Sequence, residues 1–152
     1  MTSPRHIAIE GPIGAGKTSL AKKLAADFKA RLVLESIEDN PFLPEFYKDR
    51  QKHALKTQIL FLINRYQQQK TLLQHDLFSQ TVVCDYLFSK DRIFAAMNLN
   101  KDELFIYEKI YTLLDVQLPK PDLVVYLQAS LDVLKKNIRK RGVGYEKHIE
   151  ES

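Results

Sequence analysis

The chain has little that could cross-link it or anchor it. Cys84 is the only cysteine in 152 residues, so no internal disulfide is possible. Within the apolar run Thr81-Val82-Val83-Cys84 it reads as a small buried hydrophobe. No apolar run approaches the length of a membrane-spanning helix, so no membrane partner is expected. Met1-Thr2-Ser3-Pro4-Arg5-His6 leads straight into a strand pattern and leaves no room for a signal peptide, so the expected compartment is the cytoplasm. There is no repeat, low-complexity stretch or linker, and the length suits a single domain over 1–152 with its own core. Acidic residues are fewer than basic ones, giving a net charge of +4 and a pI of about 9.1. That balance fits either nucleic acid or a polyanionic nucleotide. Much of the positive charge sits in Lys135-Lys136-Asn137-Ile138-Arg139-Lys140-Arg141, with no aromatic-interleaved basic surface elsewhere, so nucleic acid is not expected as a partner.

Glycine is scarce too, and its five copies fall in two places: Gly11, Gly14 and Gly16, then Gly142 and Gly144. The first group lies in Gly11-Pro12-Ile13-Gly14-Ala15-Gly16-Lys17-Thr18, which fills every fixed position of the phosphate-binding loop G-x-x-x-x-G-K-[ST]. An apolar run, His6 to Glu10, precedes it. A helical pattern follows, with Leu20, Leu24 and Phe28 four apart. Strand, glycine loop and helix is the order the chemistry needs: loop amides and the helix N-terminus face a polyphosphate. Lys17 reaches its outer phosphates and the Thr18 hydroxyl ligates Mg²⁺. The competing reading, a chance glycine turn before a helix, fits this context poorly. The expected ligands are therefore ATP or GTP, with Mg²⁺. The second glycine group, beside arginines, reads as a mobile basic lid or as a helix ending on a glycine cap with solvated lysines.

Four segments read as strands, near 6–10, 31–35, 81–85 and 122–127, and alternate with helical patterns near 17–29, 49–77, 101–117 and 130–141. Alternation of this kind implies an α/β fold with a parallel sheet flanked by helices. The strands are short continuous apolar runs, as expected of strands covered on both faces. Asn100 and Ser130 are the expected N-caps of the last two helices. The third strand ends Cys84-Asp85-Tyr86. Asp85 can serve Mg²⁺, but the glutamate that activates water in motor and transporter ATPases is absent, and Asn100-Lys101-Asp102-Glu103 fails as a guanine-recognition motif. Transfer to a bound acceptor is favoured over hydrolysis.

The ordered motifs resemble those of the deoxynucleoside kinases. The resemblance starts with Ile9 to Thr18 and continues through Leu34-Glu35-Ser36, Asn40-Pro41-Phe42-Leu43, Phe46-Tyr47, and Gln58 with Arg65 seven residues on. It then covers Asp85, Asp91-Arg92-Ile93-Phe94-Ala95 and Arg141-Gly142 with Glu146, and so spans nearly the whole chain. It implies a P-loop kinase sheet of strand order 2-3-1-4, and ATP-dependent phosphorylation of a deoxynucleoside 5′-OH for nucleotide salvage.

The resemblance also implies residue roles. Glu35 matches the general base, although the residues alone do not choose among Glu35, Glu38 and Asp39. Tyr47 and Glu146 match ligands of the sugar 3′-OH; by itself Tyr47 could equally be a surface aromatic. Gln58, Arg65 and Asp91 suit a base with an exocyclic amino group, a purine or cytosine, while a structural Arg65–Asp91 ion pair is the competing reading. Phe94 stacks on the base or belongs to the core. Arg141 matches a lid charge, with Arg139 added for its proximity. The expected machinery is thus Glu35, Lys17 and Arg141 for catalysis, Gly11, Pro12, Ile13, Gly14, Ala15, Gly16, Lys17, Thr18, Arg139 and Arg141 for the nucleotide, and Thr18 and Asp85 for the metal. The long helices 49–77 and 101–117 are richer in apolar residues than one sheet face needs, and the resemblance implies a homodimer through them.

The chain departs from the family pattern in three places. Asp85-Tyr86-Leu87 replaces the common Glu-Arg-Ser, so the arginine that usually supports the 5′ end is missing. Asn137 and Val143 stand where lid arginines are common. Only four strands are counted, without the family's fifth, which leads to an expectation of apolar surface beside strand 4, weak discrimination of ATP from GTP and slow turnover. A nucleoside monophosphate kinase and an inactive nucleotide- or nucleic-acid-binding module are the alternatives.

Overall fold

The computed structural model describes residues 4–35, 40–74 and 81–142. The chain forms two compact units. One comprises Met1–Leu34, Asp76–Tyr86 and Lys120–Ser152; the other comprises Glu35–His75 and Leu87–Pro119.

The first unit is built on a four-stranded sheet of β1 (His6–Glu10), β2 (Arg31–Val33), β3 (Val82–Cys84) and β4 (Leu123–Tyr126). The order is β2-β3-β1-β4 and every pair is parallel, as the resemblance implies. Ile7 lies opposite Val83 on one side and Leu123 on the other. Helix α1 (Lys17–Asp27) packs its buried Ala21 and Ala25 against Ile7, Ile9 and Val83, with Leu20, Leu24 and Leu32 around them. The small alanines let the helix approach the sheet closely. The expectation that all four strands are covered fails at β4. Leu123, Val124 and Tyr126 are exposed on β4, one of the two edge strands, whereas the central β1 buries Ile7, Ala8 and Ile9. Helix α6 (Leu131–Arg141) begins at Ser130, whose hydroxyl accepts from the Val133 amide. It ends at Gly142 in the left-handed conformation.

The second unit is helical: α2 (Leu43–Lys48), α3 (Arg50–Lys70), a 3₁₀ turn (Thr71–Leu73), α4 (Lys90–Asn98) and α5 (Lys101–Asp115). Buried Asn40 ties α2 to α3: its amide nitrogen donates to the Thr57 carbonyl and its oxygen accepts from the Phe42 amide. The Asp49 side chain caps α3. A full capping box of Asn100 and Glu103 starts α5. The predicted helix 49–77 is shorter, giving way to the 3₁₀ turn after Lys70; residues 75–80 lie outside the described residues. Two helices have no counterpart in the sequence reading. Helix α2 is only six residues long and carries Pro44 in its first turn. Helix α4 is apolar on its exposed side, with Ile93 and Met97 in solvent, while Asp91 and Ala95 are buried.

Candidate active site

In the first unit the loop after β1 has the geometry its glycines permit. Gly14 and Gly16 have φ of 81° and 93°, a region that L side chains rarely occupy. At Gly11, with φ 151°, a Cβ would stand 2.6 Å from the Leu127 carbonyl oxygen, so only glycine fits between β1 and the chain leaving β4. Gly16 is also the N-cap of α1 and supplies no side-chain cap. The first turn of α1 holds no acidic residue, so its N–H groups and partial positive charge are not offset by a carboxylate of that turn. The Lys17 ammonium is folded back on the loop, donating to the carbonyls of Gly11 (2.9 Å) and Pro12 (3.0 Å). This places a cation over the loop where a polyphosphate would lie. Pro12 also borders an open depression of about 530 Å³ lined by Tyr126, Gln128, Ala129 and Ser130.

Thr18 and Asp85 meet although they are far apart in sequence. The Thr18 hydroxyl donates to Asp85 Oδ2 at 2.6 Å, and Asp85 is buried. A hydroxyl and a carboxylate side by side form a hard, oxygen-only donor pair. That fits Mg²⁺, which takes few protein ligands and completes its octahedron with phosphate oxygens and water. Among the described residues no group of three or more His, Cys, Asp or Glu could hold a metal, so this pair is a shared site rather than a closed cage.

Helix α6 brings one residue to the loop that the sequence reading counted only as a loss. The Asn137 amide nitrogen donates to the Gly14 carbonyl at 2.7 Å. A Cβ on Gly14 would meet the Leu134 carbonyl oxygen at 2.9 Å, so the helix lies directly against the loop there. Arg139 and Arg141 are exposed in the last turn of the same helix. Residues Val143, Gly144 and Glu146, of the expected lid and sugar contact, lie outside the described residues, as do Glu38 and Asp39.

In the second unit the acidic and basic candidates come together. Arg65 on α3 donates through Nε to Glu35 Oε1 at 3.0 Å and through Nη2 to the same oxygen, while its Nη1 donates to Asp91 Oδ1. Tyr107 of α5 donates its hydroxyl to Asp91 Oδ2. The side chains are almost wholly enclosed, at 7% exposure for Arg65, 9% for Glu35 and 0% for Asp91. Burial opposes the charge on Arg65, but Glu35 and Asp91 outweigh it and hold the guanidinium above its usual pKa. Burial pushes the Asp91 carboxyl up, and Arg65 and Tyr107 counteract part of that rise. Burial, then the Asp91 charge, also push the Tyr107 hydroxyl up, so it remains a donor. Arg65 and Asp91 do form an ion pair, and Glu35 shares it.

Gln58 lies on the same buried side of α3 as Arg65, as the seven-residue spacing predicts. Its Oε1 is buried and finds no hydrogen-bond donor among the described residues. An orphaned buried acceptor is costly, which makes this amide a natural partner for a ligand donor. Tyr47 on α2 is half-buried, edge-on to Phe46 and near the Arg50 guanidinium. Phe94 is 39% exposed, which argues against a core role, and it lies under the Lys90 ammonium. Lys90 escaped the sequence reading: its Nζ is 3.6 Å from Glu35 Oε2. No local pattern marks that pairing, since it joins the start of α4 to the chain beyond β2.

A family model described as deoxynucleoside kinase matches residues 7–152. The chain is 43% identical to a deoxyguanosine kinase of Bacillus subtilis (strain 168) over 153 residues, covering all of this chain and 74% of that one. It is 36% identical to a deoxyguanosine kinase of Lactobacillus acidophilus, covering 92% of this chain and 64% of that one. Among solved structures, the deoxyadenosine kinase of M. mycoides with products dCMP and a flexible dCDP bound superposes with a TM-score of 0.79 at 28% identity, over 93% of this chain and 73% of that one. The chain thus spans between 64% and 74% of the length of these relatives.

Proposed function

Because the chain belongs to the deoxynucleoside kinase family, we propose that it transfers the γ-phosphoryl group of ATP to the 5′-OH of a deoxynucleoside, in nucleotide salvage. The single observation that carries this reading is the enclosed Glu35–Arg65–Asp91 cluster, with the unpartnered Gln58 oxygen on the same buried side of α3. In this reading Gly11 to Thr18 and Lys17 hold the triphosphate, and Arg139 and Arg141 add charge to it. Thr18 and Asp85 would hold Mg²⁺, which would supply positive charge to neutralise the phosphate oxygens. Glu35 Oε2 takes the proton of the 5′-OH as the 5′ oxygen bonds to the γ-phosphorus; the bond from the γ-phosphorus to the bridging oxygen breaks, and its electron pair leaves with ADP. Most of the catalysis is then positioning and charge neutralisation rather than covalent work by the protein.

Gln58 and Asp91, with Arg65 between carboxylates, suit a base carrying an amino group. The relatives named for deoxyguanosine and deoxyadenosine favour a purine, with deoxycytidine the alternative. Phe94 stacks on the base, and Tyr47 and Glu146 contact the sugar. The exposed apolar side chains of the long helices, Ile63 of α3 and Phe105, Ile106 and Leu113 of α5, together with Ile93 and Met97 of α4, support a homodimer through the helical unit. No helix among the described residues is long and apolar enough to cross a membrane, and the excess positive charge serves the nucleotide, in a cytoplasmic enzyme, rather than nucleic acid. The test is transfer of label from γ-labelled ATP to the four deoxynucleosides and to their monophosphates. Label on deoxyguanosine, deoxyadenosine or deoxycytidine ahead of thymidine is expected. Label on the monophosphates alone, or on thymidine first, contradicts the reading.

A further inference from the structure

Lys90 is an expensive residue where it stands. It is the first residue of α4, at the positive end of the helix dipole, where a cation is disfavoured. Its side chain is only 14% exposed, so most of a lysine has been withdrawn from water. Helix propensity and capping do not explain it: Ser89 supplies no side-chain cap, and the acid of the first turn, Asp91, is turned to Arg65 and Tyr107. A residue that breaks local rules needs a compensating contact elsewhere. The contacts of Lys90 include Glu35 Oε2 at 3.6 Å and the face of Phe94 at 5.6 Å.

The two oxygens of Glu35 are treated differently. Oε1 takes both bonds from Arg65, whose remaining nitrogen is committed to Asp91. Oε2 instead lies 3.6 Å from the Lys90 ammonium. We propose that Lys90 is a positioning residue for the phosphoryl transfer: it aims Glu35 Oε2 and keeps it ionised, so that this oxygen, and not Oε1, accepts the proton of the acceptor hydroxyl. This rests on the reading of Glu35 as the base. Among the described residues, the charged and titratable groups around Glu35 include Arg65 from α3, Lys90 and Asp91 from α4, and Tyr107 from α5, which acts through Asp91. Arg65 and Lys90 favour the carboxylate, and Asp91 opposes it.

The experiment measures the acid limb of kcat/KM, and the titration of the Glu35 carboxyl by ¹³C NMR, in the wild type, Lys90→Met, Lys90→Gln and Lys90→Arg. The NMR signal is assigned by its loss in Glu35→Gln, and it is readable without turnover. Removing an opposite charge this close is expected to raise both values by at least about one pH unit and to lower kcat more than it raises KM. Lys90→Arg should return both toward the wild type, and Lys90→Gln serves where Lys90→Met does not fold. Unchanged titration in the Met and Gln variants, or an Arg variant that fails as they do, overturns the role of Lys90 alone, provided Glu35→Gln is inactive. An active Glu35→Gln overturns the reading of Glu35 as base and, with it, this inference.

Discussion

The sharpest energetic consequence concerns Arg65. Replacing it with methionine keeps an unbranched side chain of similar reach in α3 but removes the cation bonded to Asp91, which has no exposed surface. Breaking a buried ion pair by deleting one member costs about 3–5 kcal/mol, because the other charge stays buried and uncompensated. Glu35 keeps Lys90 at 3.6 Å, so the loss falls mainly on Asp91. For a chain of this size each kcal/mol lowers Tm by about 2–4 °C, so Arg65→Met should melt about 6–20 °C below the wild type. The sign of the pH dependence follows from burial. Asp91 is already pushed above its ordinary pKa by burial, and losing Arg65 removes the main opposing influence, so its folded pKa rises further. Between the unfolded and folded values the native state then holds a proton that the unfolded state has released. Stability of the variant therefore increases as pH falls through that window, by up to about 1.4 kcal/mol per unit. Arg65→Met with Asp91→Asn should recover most of the loss, since the amide still accepts from Tyr107. Thermal and urea melts from pH 5 to 8 on these variants provide the assay. A single-variant loss of only a degree or two, or a loss independent of pH and not repaired by Asp91→Asn, would refute the picture of a tightly coupled buried cluster.

Other outcomes follow from single positions. Gly11→Ala should abolish triphosphate binding in calorimetry, since its Cβ would collide with the Leu127 carbonyl oxygen; Gly16→Ala, with no atom within 4 Å, should suffer only the backbone strain of its positive φ, about 1–3 kcal/mol in a melt. Burial lowers the His6 pKa below its ordinary 6.5, so the unfolded chain binds protons more readily than the native one as pH drops below that value. Relative to His6→Gln, the wild type should thus lose stability between pH 7 and 5, measured by urea melts. Met97→Glu combined with Phe105→Lys, both at exposed sites, should convert a homodimer to monomers in light scattering with little change in Tm.

The parts of this molecule that are local were readable before the fold was known. The phosphate loop needs only contiguous glycines, a lysine and a hydroxyl, and its flanking strand and helix are the shortest-range periodicities in the chain. The caps at Asn100 and Ser130 are likewise three-residue signals. Strand order came from family resemblance rather than pattern, because short apolar runs do not say which neighbour they pair with. Helix α4 was missed because it presents apolar side chains to solvent and buries an aspartate, the reverse of the usual stripe. Lys90 and Asn137 were missed as contacts for a related reason. One joins Glu35 and the other the Gly14 carbonyl only after the chain has folded, and nothing in their neighbours' identities announces it. Gln58 and Arg65 were found by spacing, but that Arg65 would be divided between Glu35 and Asp91 depended on tertiary placement.

The central claim is that this chain phosphorylates the 5′ oxygen of a deoxynucleoside with Glu35 taking the proton. The most direct measurement incubates the protein with γ-labelled ATP and either deoxyguanosine or its 5′-deoxy analogue, in the wild type and in Glu35→Gln, and locates the label by ³¹P NMR. The account predicts label on the 5′ oxygen of deoxyguanosine, none on the analogue, and a fall in kcat of about 10²–10⁴ in Glu35→Gln with nucleoside binding retained. Label appearing only as inorganic phosphate, label on the analogue, or wild-type turnover in Glu35→Gln would contradict it.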